Sequence, residues 1–508
     1  MADYKRPGVY IQESLTPLTQ ASSAPGQATA VFPGAHQQGP TTPTLISSWS
    51  QFVQIYGGFG ATTDYLPYAV YQYFNNGGRS CWVIRAVASD AVAATANLDD
   101  TAGSPDHILS VTAKSAGAWG NKLSVLVTPG GSGTDHFTLV VLLNGSVVER
   151  FLDISPNPVD ARYAVNIVNS PTGGSAYVKL AYVFAGTYSS STNALAAVST
   201  PKSLATGADG AATPDLVAAA EELSSVSGSF DLNLPGVTDT TTLNAVIAWA
   251  ASVGNVFVVV DTPQQAVGAS SATATTNLTT YMTGGSAVSA SSYSAVYGPW
   301  LQIQDPASSS STAMRLVPPG GAVLGQYAST DITRGPQKPA AGIGTTLRGV
   351  LNTEVTFTSG DQDTLATNNV NLIKAVPGYG FCIMGARTTQ PGLPSQYVSV
   401  RRTLIVIEQA LIRLTRFAVF EPNGPLLWNQ ITSVVTQYLT GLMQQGVLQG
   451  SVPDAAFFVE CDATNNTPAA VSAGYAYVDV GVALQSPAEF IVIRIGQYEG
   501  GSSATVTS

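Results

Sequence analysis

The run Val256-Phe257-Val258-Val259-Val260, entered from Asn255 and closed by Asp261, constrains the fold more than any other segment. Successive side chains of a strand point to opposite faces, so an unbroken apolar run makes both faces hydrophobic. Such a strand needs cover on both sides, the condition met in a parallel sheet between two helix layers. The flanking pattern agrees. Helices are expected at 214–224 and 240–252, with Asp231-Leu232-Asn233-Leu234-Pro235-Gly236 between them. Earlier, a helix over 64–75 carries Tyr65, Tyr68, Tyr71, Tyr73 and Phe74, and stops at Asn75-Asn76-Gly77-Gly78. The strand Cys81-Trp82-Val83-Ile84-Arg85 follows. Alternating helices and buried strands are α/β grammar.

The 508 residues exceed one ordinary core, and the chain reads as mixed α/β (α+β) and multidomain. Residues 1–28 form an arm: a strand at 7–14, Val9 and Ile11 alternating with Tyr10 and Gln12, then a Pro/Ser-rich linker. Residues 29–104 begin the α/β core. Residues 105–204 read as an inserted β-rich domain, with strands at 107–113, 122–128, 136–143, 146–152 and 177–184 and an Asn144-Gly145 hairpin turn. Residues 205–395 hold the main α/β domain. Within it 264–292 is mobile or a surface helix, and 313–345, rich in Pro and Gly, is an ordered irregular connection. Residues 396–488 form an α+β core. Its helix 400–417 presents Leu404, Ile407, Leu411 and Leu414 on one face, with Arg401, Glu408, Arg413 and Arg416 on a solvated or subunit-facing side. A second helix starts at Asn423-Gly424-Pro425, Asn423 capping, and stops at Gly446; strands follow at 456–461 and 475–484. Residues 489–508 form a second arm, with a strand at 489–497 and a polar tail.

Chemistry is constrained mainly by scarcity. Charged residues are 10% of the chain, against about 25% in an average protein. Self-assembly or a compositional habit of the source accounts for this equally well. With 31 acidic and 21 basic residues the net charge is −10, which weighs against nucleic acid and anionic lipid as partners. No run reaches the ~20 apolar residues of a membrane span, and the start carries no apolar leader pattern. Cys81, Cys382 and Cys461 are scattered in apolar settings and read as buried free thiols, pointing to folding in the cytoplasm. The three histidines, His36, His107 and His136, have no zinc-site spacing, and no residue after 136 is a histidine. No phosphate-binding glycine motif occurs, and Asp361-Gln362-Asp363 reads as a helix N-terminus rather than a calcium loop. The expectation is no catalytic residue, no metal and no cofactor.

A set of short segments, in order along nearly the whole chain, resembles the tail sheath proteins of contractile-tailed bacteriophages and related injection systems. It comprises Pro7-Gly8-Val9-Tyr10 with Glu13; Asn76-Gly77-Gly78; Val83-Ile84-Arg85; and Ser115 to Asn121. Further on come Pro235-Gly236-Val237, Val258 to Pro263, Tyr297-Gly298-Pro299-Trp300, Val317-Pro318-Pro319-Gly320, Gly325-Gln326-Tyr327-Ala328, Asp331 and Arg334-Gly335. Gly385-Ala386-Arg387-Thr388, Tyr397 to Arg402, Phe417 to Asn423 and Pro487-Ala488-Glu489-Phe490 close the set. The resemblance implies a subtilisin-like fold in the main domain without its activity, since no histidine there supplies a Ser-His-Asp triad.

The resemblance further implies a structural subunit that polymerises as stacked hexameric rings around a tail tube and contracts to drive the tube through a cell envelope. Its partners would be copies of itself, the tube protein, and baseplate and terminator proteins, with no nucleic acid and no direct membrane binding. It would be located in the virion and assembled in the host cytoplasm. Its inter-subunit connectors would be the two arm strands, through Val9, Tyr10, Ile11 and Glu13 at one end and Phe490, Ile491, Val492, Ile493, Arg494 and Ile495 at the other. The sheath of a headless injection system or tailocin is the near alternative. An α/β hydrolase and a surface-layer or capsid-type protein are the competing classes.

Overall fold

The structure is a computed structural model that describes residues 28–489, apart from 61–63, 103–105, 199 and 393–395. Strand β1 (Thr29–Ala35) leads through β2 (Thr44–Ile46), α1 (Trp49–Tyr56) and α2 (Leu66–Asn75) to β3 (Cys81–Ala86). Seven strands then form two smaller sheets: β4 (Thr95–Asp99), β5 (His107–Ala113), β6 (Leu123–Pro129), β7 (Phe137–Leu143), β8 (Ser146–Ile154), β9 (Val178–Tyr182) and β10 (Lys202–Ser203), with the short helix α3 (Ala164–Val168). The large sheet resumes with α4 (Leu216–Glu221), β11 (Phe230–Asn233), α5 (Thr240–Val253), β12 (Val256–Asp261), α6 (Ser271–Thr283) and β13 (Ser294–Gly298). Next come β14 (Leu301–Gln304), β15 (Met314–Val317), α7 (Gly320–Arg334), β16 (Val350–Thr353), α8 (Ser359–Thr367), β17 (Val370–Val376) and β18 (Gly380–Ile383). The chain continues through α9 (Val398–Leu414), α10 (Pro425–Gln444), β19 (Phe457–Glu460) and β20 (Asp479–Val482).

The large sheet has eight strands in the order β18-β17-β13-β12-β11-β1-β3-β2. Its inner pairs are parallel, and β2 and β18 run antiparallel at the two edges. In β12 the side chains divide by parity: Phe257 and Val259 enter a core beneath α2 and α7, while Val256, Val258 and Val260 enter the opposite core beneath α5 and α6. Both faces are buried, which is why the run has no polar alternation.

A third core lies wholly between residues 94 and 204, with Trp119, Val125, Leu139 and Val178 among its members. The β7–β8 turn adopts positive φ at Asn144 (50°) and Gly145 (79°), the conformation that the Asn-Gly pair favours. This block is joined to the large sheet through Arg85, whose guanidinium donates to the carbonyls of His36 (2.7 Å), Gln37 (2.8 Å) and Ala116 (2.8 Å). A fourth core, Ile407, Leu427, Ile431, Val435, Leu439 and Phe457, packs α10 against the β19–β20 pair.

Three expectations require correction. Residues 313–345 are not irregular: they contain β15 and the fifteen-residue helix α7. Three glycines disguise α7, and the structure gives their reason. A Cβ on Gly321 would lie 2.3 Å from the Ala69 carbonyl oxygen, and one on Gly325 would lie 2.7 Å from that of Tyr73, so α7 packs backbone-close on α2. Second, Arg401 and Glu408 are not on a solvated side of α9; both are buried, whereas Arg413 and Arg416 are exposed. The first half of α9 is enclosed by the large sheet and its second half by the fourth core, so it has no solvent stripe until its last turn. Third, the cap of α10 is Gly424. Asn423 instead accepts from Trp428 Nε1 (2.8 Å) and donates to the Tyr475 carbonyl (2.7 Å).

Candidate functional site

In an open α/β sheet the place to look for a ligand is the crevice beyond the carboxyl ends of the strands, where the strand order reverses. Here that point lies between β1, whose other neighbour is β3, and β11, which leads outward to β12 and β13. The chain fills it with its own groups. The first turn of α2 covers β1, Leu66 lying so close to Gly34 that a Cβ there would sit 3.3 Å from it. The first turn of α7 covers β11 and β12. Asp261, fully buried at the end of β12, accepts from Gly320 N (2.7 Å), Gly236 N (3.1 Å) and Asn233 Nδ2 (3.1 Å). A helix N-terminus is a natural anion site, and α7 directs its free N–H at an internal carboxylate. Burial pushes the Asp261 carboxyl up to about 6, with the three donors acting in the opposite direction.

The histidines each meet an aspartate, the arrangement that orients a catalytic imidazole. His36 Nδ1 contacts Asp64, while its Nε2 donates to the Tyr56 carbonyl (2.6 Å), an oxygen that can only accept. His107 pairs with Asp99 (2.6 Å) on the surface. His136 faces Asp153 and Asp160, each at 3.3 Å. Among the described residues no hydroxyl is hydrogen-bonded to the far nitrogen of any of the three. The nucleophile position of a triad is therefore occupied by a carbonyl at His36 and by a second carboxylate at His136. The helix expected at Asp361 is present: Thr358 and Asp361 form the reciprocal capping box of α8. Cys81, Cys382 and Cys461 are buried free thiols.

Two ion pairs organise the C-terminal part of the chain. Arg402, 3% exposed, lies on α9 between Asp231 of β11 and Asp331 of α7. Its Nε and Nη2 donate to Asp231 (2.9 and 2.6 Å), and its Nη1 and Nη2 to Asp331 (3.1 and 2.6 Å). The guanidinium also lies over the Tyr327 ring, 4.3 Å from its centroid. Burial raises the Asp331 carboxyl above the usual range, opposed by Arg402; burial acts against the Arg402 charge, which the two carboxylates more than restore. The second pair is Arg387 with Glu489, at 2.6 Å and about a fifth exposed on each side. Sequence reasoning singled out Arg402 and Asp331 within longer motifs but gave neither a role, and it did not connect them to Asp231. The available signal was position: Arg402 falls between Val398 and Val406, one turn away on each side, and both are buried.

The expected connectors Val9, Tyr10, Ile11 and Glu13, and Phe490 to Ile495, lie outside the described residues. What is described is a two-stranded sheet, β19 paired antiparallel with β20, which no third strand joins among the described residues.

Comparison with known proteins places this architecture. Residues 394–497 match the family model of the phage tail sheath C-terminal domain. The tail sheath protein of Enterobacteria phage T4 is 24% identical over 159 residues, a match spanning 31% of this chain and 23% of that relative. Among solved structures, the contracted-state sheath complex of PVC, an extracellular contractile injection system, superposes with a TM-score of 0.56 at 21% identity, covering 98% of this chain and 99% of that one. A sheath tail protein from Listeria innocua gives a TM-score of 0.61 at 12% identity, covering 90% and 96%. The mixed α/β, multi-sheet fold is thus that of sheath proteins, and the resemblance drawn from the short motifs holds in the family match, the relative and the structures.

Proposed function

We propose that this chain is the structural subunit of a contractile sheath, polymerising as stacked hexameric rings around a tube and contracting by rearrangement of its subunits. The end-to-end correspondence with a sheath chain from a contracted assembly, covering 98% of this chain, carries the reading. The filled crevice supports it: the position where an α/β enzyme would bind substrate is packed with the first turns of α2 and α7. On this reading the chain is not an enzyme, holds no cofactor, and meets tube, baseplate and terminator proteins, after assembly in the host cytoplasm.

Residues 7–14 and 489–497 would be the connectors between copies. The β19–β20 pair would be the acceptor, on physical grounds. An isolated two-stranded sheet is marginal, and this one lies on the fourth core through Val459, Val480 and Val482, with no third strand joined to it among the described residues. Strands supplied by neighbours would complete it by β-augmentation. The block 105–204, whose core also takes in Ala94 and Leu98 just before it, would project from the polymer as decoration. The remaining domain boundaries, 29–104, 205–395 and 396–488, stand as the division this reading uses.

Negative-stain microscopy of purified protein tests the proposal. Hollow striated tubes or stacked rings are expected; a stable monomer with peptidase turnover would overturn it. A second reading, a headless injection system rather than a phage tail, is favoured by the match to the PVC chain. A DNA-filled head on the native particle would decide against it.

A further inference from the structure

After β20 ends at Val482, the chain stays briefly with its own core. The Ala483 carbonyl accepts from Gln449 N (3.1 Å), and Gln485 Nε2 donates to the carbonyls of Gly446 (3.1 Å) and Leu448 (3.0 Å). Then it crosses to a different part of the molecule. Glu489 meets Arg387, and Arg387 belongs to the large sheet: its backbone N donates to Asn371 Oδ1 (2.7 Å), its carbonyl accepts from Asn371 Nδ2 (2.7 Å), and Asn371 lies on β17. Arg387 Nη1 also donates to the Ala366 carbonyl of α8 (3.0 Å). Between these anchors no residue from 485 to 489 is buried. Residues 483–489 are a strap fastened at two ends, and at the far end by one ion pair.

We propose that Glu489–Arg387 is a releasable clip that fastens this strap across the C-terminal core and the large sheet, and so fixes where the segment after 489 leaves the subunit. The guanidinium reaches both carboxylate oxygens, Nε at 3.1 and 3.2 Å and Nη2 at 2.6 Å, so the clip has direction as well as charge. Its partial exposure makes it breakable, because water and salt compete for both partners. Both residues fall in motifs that the sequence sets apart, Gly385 to Thr388 and Pro487 to Phe490; the sequence makes Glu489 only the first residue of the arm strand and gives Arg387 no role. The sheath reading enters only in giving the segment beyond 489 a neighbour to join; the clip itself belongs to one subunit.

Pulsed dipolar spectroscopy of the full chain tests the clip, with nitroxides on Thr367→Cys at the end of α8 and Ser486→Cys in the strap. Both sites are exposed, whereas the three native cysteines are buried. Without further change the distance distribution should be narrow. Arg387→Glu or Glu489→Arg alone should broaden it, raising the open population about tenfold, the scale of losing a charged hydrogen-bonded contact. Combining the two reversals should narrow it again. Because Asn371 holds the Arg387 backbone independently of its side chain, the fold should persist, and an unchanged thermal midpoint checks this. A distribution that stays narrow in both single variants, or one that the double reversal fails to narrow, overturns the clip. Tube formation is scored separately: a chain that shows this pattern but never polymerises refutes the sheath reading and leaves the clip standing.

Discussion

Arg402 and Arg387 both join the C-terminal part of the chain to the large sheet, and their surroundings give them different work. Arg402 is enclosed, shared by two buried carboxylates and stacked on Tyr327. Arg387 faces one carboxylate at the surface. Removing a partner from a buried charge cluster leaves an unsolvated charge, whereas an exposed pair exchanges readily with water. The first contact therefore behaves as a rivet that holds α9 on β11 and α7, and the second as a clip that can open while the core stays intact. On the sheath reading proposed above, a subunit built this way would move as a rigid body while its clip opens.

The largest expected effect breaks the rivet. Arg402→Met should destabilise the chain by about 3–5 kcal/mol, because Asp231 and Asp331 are left facing each other without a cation. Adding Asp231→Leu and Asp331→Leu should recover much of this, since an apolar replacement removes the orphaned charges. Denaturant midpoints of the single and triple variants check both halves. If the single variant costs nothing, Arg402 is not a rivet.

A third buried carboxylate sharpens the contrast, because Asp261 has backbone and amide donors but, among the described residues, no cation. Its folded value, about 6, lies above the ordinary 3.8. Between those values the folded state holds the proton more tightly than the unfolded one, so this group's stabilisation is complete at low pH and is lost as pH rises to about 6. The loss is about 3 kcal/mol. Asp261→Asn should remove this falling component from the profile of stability against pH. An unaltered slope between pH 4 and 6 would show that the internal donors keep the carboxylate charged.

Gly321→Ala probes the rivet indirectly, through the seat of the helix that carries Asp331. Alanine favours a helix by about 1 kcal/mol over glycine, yet its Cβ would meet the Ala69 backbone, and overpacking costs about 1–3 kcal/mol. Net destabilisation is expected. Gly360→Ala in α8, where the added Cβ meets nothing within 4 Å, should be neutral or stabilising. Smallest of all, Arg387→Gln should lower stability by no more than about 1 kcal/mol, even as it loosens the strap. A larger loss would make the clip a second rivet.

The parts of this molecule that could be read from sequence are those whose reasons are local. The run 256–260, the Asn144-Gly145 turn and the helix N-terminus at Asp361 each follow from backbone geometry or strand parity within a few residues. α7 was obscured because Gly321 and Gly325 answer to α2 and its C-cap, more than 240 residues earlier in the chain, and Gly320 to Asn233 of β11, and nothing nearby announces those contacts. Arg401 and Glu408 read as a solvated or subunit-facing side because charge is normally an exposed feature; a helix enclosed by its own subunit has no such face there. The Arg402 cluster draws on β11, α7 and α9, and the clip joins residues 102 apart, so neither pairing leaves a periodic trace.

Reconstruction of the polymer in its extended and contracted states tests the division between rivet and clip most directly. Superposed on the large sheet, subunits from the two states should keep Arg402 within hydrogen-bonding distance of Asp231 and Asp331, with α9 unmoved. The chain beyond 489 should change direction between them. An α9 that lifts from β11 in either state, with the Arg402 contacts broken, would contradict the account.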